Sequence, residues 1–205
     1  MTMQQQASPR AAQAALRVAQ ATLLALAGAA IQGCAGSEPL GGGKVDRPVM
    51  RPVVEAAVLL RESTTDGTRG RTYGLVSFED GPYGLVITPK LHDMEPGPHA
   101  AHVHENASCD PDEAGVPAGA AGGHYDPHGS GAHTGPYGEG HLGDLPNLIV
   151  EPNGMATLPV VAPRVTVADL KGRSLMIHAG ADRYDAYGEH EHGKGGMRMF
   201  CGIIR

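Results

Sequence analysis

Tryptophan is absent from this chain of 205 residues, and phenylalanine occurs only twice. Thirty glycines and 16 prolines accompany that scarcity of large rings, a composition of short strands and many turns in one domain. Basic stretches interleaved with aromatics are missing too, which removes the usual signature of a nucleic-acid partner. The charge agrees: 16 basic residues face 22 acidic ones, and the only charges before residue 34 are Arg10 and Arg17. Without that leader the balance is 14 − 22 = −8, an acidic surface that repels polyanions.

No apolar run is long enough to span a bilayer, which takes about 20 residues. The run from Val18 to Ile31 follows the two arginines and reads as part of a signal peptide over 1–33. Ile31-Gln32-Gly33-Cys34 resembles a bacterial lipoprotein processing site, with Cys34 as the lipid acceptor. The alternative is plain cleavage near Ala30, which leaves Cys34 a stray thiol. Cysteine arithmetic favours the lipid: three cysteines leave one over, the odd one sits at the lipobox-like position, and Cys109 and Cys201 are free to pair. Export to the periplasm or cell envelope would place that pair in an oxidising compartment.

Residues 34–52 are rich in Gly, Pro and polar side chains, a composition that buries no surface and reads as a flexible tether. The folded domain is expected over 53–205. Short β-compatible runs stand at 53–60, 71–79, 83–89, 98–104, 147–151, 155–161, 174–179 and 198–204, each bounded by turn residues. Only Thr166–Lys171, with Asp169 three residues after Thr166, has helix-start character. The class is therefore all-β, a sandwich or barrel of eight strands with two long loops at 105–146 and 180–197. Those loops hold most of the histidines, and long structureless loops in a small domain point to function.

Six histidines and one aspartate form the chemical signal: His102, His104, His124, His133, His141, Asp144 and His178. Imidazole suits copper and zinc, and a carboxylate completes a tetrahedral zinc site. Seven such groups suffice for two adjacent ions if one histidine is shared. His102 and His104 flank Val103 and would project from one face of a strand.

The motifs GPHAAHVH (97–104), AGGHYDP (121–127), GHLGDLP (140–146), LMIHAGAD (175–182) and GGMRMFCGII (195–204) closely resemble the bacterial Cu,Zn superoxide dismutases, from about Val53 to the C-terminus. The resemblance implies an eight-stranded Greek-key β-barrel and an enzyme that dismutates superoxide to dioxygen and hydrogen peroxide at copper cycling between Cu(II) and Cu(I). It implies copper on His102, His104, His124 and His178, zinc on His124, His133, His141 and Asp144, and His124 as the bridge. Asp182 matches the carboxylate that links His102 to His133, Cys109 and Cys201 match the family disulfide, and Arg198 matches the active-site arginine. Catalytic roles therefore fall to Arg198 and His124, with superoxide as the partner, no nucleic acid, and membrane contact only through a lipid on Cys34. Relatives of this kind include monomers and homodimers.

Two departures stand out. Ala100 and Ala101 occupy places where the family usually has Gly-Phe, which bears on packing rather than coordination. His190 and His192 stand where Pro and Gly are commoner, and read as solvated loop residues, as do His92 and His128; His99 resembles a structural histidine bonded to backbone. Lys194 and Arg183 are candidates for steering the anion against the net charge of −8. Two other readings use fewer of these residues. A non-catalytic copper-binding envelope lipoprotein would need neither Arg198 nor every copper ligand, and a zinc-stabilised structural protein would leave His102, His104 and His178 without a purpose.

Overall fold

The computed structural model describes residues 55–184 and 195–205. Cys34 and the expected leader and tether lie outside the described residues, as do His190, His192 and Lys194. Among the described residues no helix is long and apolar enough to cross a membrane.

Alternation of apolar and polar residues builds the first three strands, β1 (Ala56–Glu62), β2 (Thr72–Gly81) and β3 (Gly84–Leu91). Ala56, Val58 and Leu60 of β1 point inward, as do Val76 and Phe78 of β2 and Leu85, Ile87 and Leu91 of β3. β2 and β3 form a continuous antiparallel hairpin closed by the pair Gly81 and Gly84. The remaining strands are β4 (Gly97–His99), β5 (Ala101–His104), β6 (Leu148–Val150), β7 (Val160–Ala162), β8 (Ser174–His178) and β9 (Arg198–Ile203). Seven of them make one curled antiparallel sheet in the order β5-β8-β9-β1-β2-β3-β7, and β4 pairs with β6. The fold is an all-β Greek-key barrel.

The run expected at 98–104 is broken at Ala100, so that β4 and β5 pair with different strands; counted as one, they reduce the nine strands of the described residues to the expected eight. Ala100 spends its N–H on Gly180 O (2.8 Å) and its carbonyl on His178 N–H (2.9 Å), outside either ladder. The run expected at 155–161 shrinks to β7, because its start touches β3 only at the Ala156–Leu91 bridge. The short helix α1 (Val167–Leu170) has the capping box that Thr166 and Asp169 foretold. Beneath the sheet, Leu148, Leu175, Ile177, Phe200 and Ile204 complete the core with the inward residues of β1 to β3. Ala100 and Ala101 are fully buried in it, at 0 % and 1 % exposure.

Candidate metal centre

β5 is the scaffold of the site. Its partner on one side is β8, with His102 opposite Met176 and His104 opposite Ser174. Two loop segments dock on its other side: Tyr125 N–H donates to Val103 O, and Val103 N–H donates to Gly143 O, both at 2.8 Å. Bridges join His104 to His124 and His102 to Asp144. The approach is close enough that a Cβ at Gly143 would lie 2.3 Å from Val103 O, so glycine is required there. The long loop at 105–146 is thus pinned where its ligand-type residues fall.

The structure brings all seven residues of the constellation together. Ligand atoms of His102, His104, His124 and His178 lie within 4.8 Å of one another, and so do those of His102, His124, His133 and Asp144. His141 joins the second group through Nδ1, 3.4 Å from Asp144 Oδ1. His124 is common to both groups, with Nδ1 at 2.9 Å from Asp144 Oδ1 and therefore Nε2 turned away from that carboxylate.

The outward ring nitrogens of four of these histidines are committed. His102 Nε2 donates to Asp182 Oδ2 (2.7 Å) and His133 Nε2 to Asp182 Oδ1 (2.8 Å), so one buried carboxylate spans both groups. His104 Nδ1 bonds Gly122 O (2.9 Å) and His178 Nδ1 bonds Gly196 O (2.8 Å). Carbonyl and carboxylate oxygens only accept, which fixes the tautomers and leaves the inward nitrogens their lone pairs. Those inward atoms have no hydrogen-bond partner at His104 Nε2 and His141 Nδ1, although both are buried, and His133 Nδ1 meets only the Asp144 carboxylate, at 3.0 Å. Orphaned polar atoms on this scale are costly in a native core unless an ion satisfies them. The donor set fits that role: imidazoles only in the first group, imidazoles with a carboxylate in the second.

Charge divides the two groups. Burial pushes His102 well below the ordinary histidine range, His104 down to about 2 and His178 to about 4, so the first group is neutral imidazole throughout the physiological range. Burial also lowers His124, against the carboxylate of Asp144. His133 goes the other way: burial opposes its proton, but the carboxylates of Asp144 and Asp182 raise it to about 9. Asp144, which burial alone would raise, is held below the usual carboxylate range by His124 and His133.

Arg198 begins β9 opposite His178. Its Nη1 and Nη2 donate to Ala118 O (2.7 Å) and Gly122 O (2.8 Å), which lock the half-buried guanidinium beside His104. Cys109 and Cys201 form a disulfide that ties the same loop to β9. His99 faces backbone carbonyls alone, His178 O (2.7 Å) and Glu95 O (2.8 Å), as acceptors for its ring N–H, while His92 and His128 are exposed. Asn147 and Tyr184, which lie against Asp182, went unnoticed in the sequence.

A profile of the family described as "Copper/zinc superoxide dismutase (SODC)" matches residues 72–204. The chain belongs to the copper/zinc superoxide dismutase family. It is 45 % identical over 145 residues to "Superoxide dismutase [Cu-Zn]" of Photobacterium leiognathi, covering 69 % of this chain and 83 % of the relative. The structure of "Cu/Zn superoxide dismutase from Brucella abortus" superposes with a TM-score of 0.69 at 42 % identity, covering 74 % of this chain and all of that one. The solution structure of the monomeric copper, zinc superoxide dismutase from Salmonella enterica gives 0.64 at 42 % identity, with 73 % and 99 % covered. The protein is thus an oxidoreductase that dismutates superoxide to dioxygen and hydrogen peroxide, with copper and zinc as cofactors.

Proposed function

We propose that this dismutase holds copper on His102 Nδ1 and on Nε2 of His104, His124 and His178, and zinc on Nδ1 of His124, His133 and His141 with Asp144. The observation that carries the reading is the shared ring of His124, with one nitrogen turned to each group. His141 is a better fourth zinc ligand than His102, although His102 also falls within the 4.8 Å cluster. His102 Nδ1 faces His178 Nε2 at 3.1 Å, and its other nitrogen is taken by Asp182. His141 Nδ1 is buried, unbonded and beside Asp144.

When bound, copper supplies one-electron exchange and zinc supplies fixed positive charge without redox chemistry of its own. The residues do the rest. Whenever its Nε2 is not engaged with the metal, His124 would hold a proton there and pass it to the departing peroxide, whose second proton comes from solvent, while Asp144 keeps Nδ1 oriented. Arg198 attracts and orients the small anion, its guanidinium held by two backbone carbonyls rather than by a neutralising carboxylate bonded to it. Every residue named comes from one chain, so the centre is complete in one copy, whether the protein works as a monomer or a homodimer. Arg183 and Lys194 steer the anion.

The chain is made with a signal peptide (1–33) and a tether (34–52) ahead of the enzyme domain (53–205), and acts in the periplasm or cell envelope, anchored by lipid on Cys34. The disulfide between Cys109 and Cys201 supports export and leaves Cys34 as the odd cysteine. Mass measurement of the mature protein from its native envelope reads the cleavage point and the lipid together. Metal content and dismutase activity of the purified protein test the chemistry: copper and zinc in equal amounts with activity are expected, copper without activity would mark a carrier, and zinc alone a structural protein.

A further inference from the structure

Asp182 joins the two halves of the centre, yet nothing in its own backbone fixes where its carboxylate points. Two residues outside the ligand set do so. Asn147 clasps the main chain of Asp182 from both sides: its Nδ2 donates to Asp182 O, and its Oδ1 accepts the Asp182 N–H, each at 2.9 Å. Tyr184 holds Asn147 in turn, because its Oη accepts the Asn147 N–H at 2.7 Å. Its own N–H donates to Asp182 Oδ1 at 2.9 Å, beside the bond from His133.

These contacts close a circuit through the zinc half. Asn147 follows Asp144 by three residues on one loop. The ring of Tyr184 lies against Gly135, where a Cβ would come within 2.6 Å of it, and Gly135 N–H donates to Asp144 Oδ2 (3.3 Å). To complete the circuit Tyr184 adopts φ 57, a left-handed conformation unusual outside glycine. A residue held there by its backbone, its hydroxyl and its ring is over-determined by its surroundings, as residues that support a site tend to be.

We propose that Tyr184, acting through Asn147, is a positioning residue that keeps Asp182 between His102 and His133 and so sets the geometry of the zinc half. The proposal rests on the ligand assignment above. Tyr184→Phe keeps the ring on Gly135 and removes only the oxygen that receives the Asn147 N–H. Groups that orient metal ligands from behind change metal affinity by about 10- to 100-fold when lost. In the full-length, metal-loaded protein, Y184F is therefore expected to release zinc to a chelator about tenfold faster or more, with copper release changed by less than about threefold. The visible bands of protein carrying cobalt(II) in place of zinc are expected to shift as well.

Equal acceleration of both metals with unmoved cobalt bands would reduce Tyr184 to general packing and overturn the proposal, as would unchanged zinc release. Wild-type protein that takes up no zinc would overturn the ligand assignment and the proposal with it; zinc in the wild type with a silent Y184F overturns the proposal alone. Asn147→Ala removes both hydrogen bonds of the clasp and is read in the same way, so that one variant failing to fold leaves the other decisive.

Discussion

Serine at both Cys109 and Cys201 is expected to weaken the protein twice over. The bond closes a loop of 92 residues. In the chain-entropy treatment, a loop of that length constrains the unfolded chain by roughly 4 to 5 kcal/mol at 25 °C. For a domain of this size each kcal/mol moves the melting temperature by about 2 to 4 °C, so the variant should melt about 10 to 20 °C lower. The second effect is local. Cys109 anchors the loop whose Ala118 and Gly122 carbonyls hold Arg198, and Gly122 O also orients His104. Even at 25 °C, where the variant remains folded, turnover and the affinity for a small anion such as azide should fall together. Calorimetry gives the first quantity; steady-state assays and azide titration give the second. A drop of less than about 5 °C would refute the entropic argument. A full drop with activity and azide affinity intact would show that the loop is held by its other bonds, from Arg173 to Glu105 O and from Ser174 to Asn106 O.

Arg198→Ala should lower kcat/KM by at least about tenfold, about 1.4 kcal/mol of lost anion stabilisation, with both metals retained. Undiminished turnover in the metal-loaded variant would remove Arg198 from the mechanism. The metal-free protein should be most stable near pH 6.5, with stability falling on both sides. Below 6.5 the unfolded chain binds protons that buried His102, His104, His124 and His178 refuse, so stability is lost as pH falls, through about 4 for His178. On the alkaline side His133, raised to about 9 in the fold, contributes stability that is complete below 6.5 and disappears as pH climbs through 9. Urea midpoints across that range decide it: an acid limb that starts only near pH 4 would mean that the histidines are not buried as neutral rings.

How much was legible depended on whether the information was local. His102 and His104 were readable as neighbours on one face because strand periodicity needs no partner to be known, and Thr166 and Asp169 announced their capping box within four residues. The clustering of the seven residues was readable only as a set: no spacing alone brings His124 and His178 together, and it was the ensemble of motifs that did so. The break at Ala100 was hidden, since an apolar run does not say whether its two ends pair with β6 or with β8. Asn147 and Tyr184 were hidden for the same reason. An asparagine after Leu-Pro and a tyrosine after Asp-Arg carry no local mark of a bond that spans 37 residues.

The two halves of the centre differ before any ion arrives, and that difference bears on which ion each would take. In the His102, His104 and His178 half, burial keeps every ring neutral, so a cation meets lone pairs and no competing proton. Neutral imidazoles serve both oxidation states of copper, and removing an electron from or adding one to such a site leaves no buried carboxylate unpaired. In the other half Asp144 and Asp182 impose negative charge on His133, which answers by holding a proton that an ion bound there would have to displace. A dication of fixed charge suits carboxylates already committed to a positive partner, whereas a metal that changes charge each half-cycle would be bound too tightly in one state and too weakly in the next. Asp182, bonded to a ring of each half, lets the charged side stiffen the neutral one without lending it charge through a direct ligand bond.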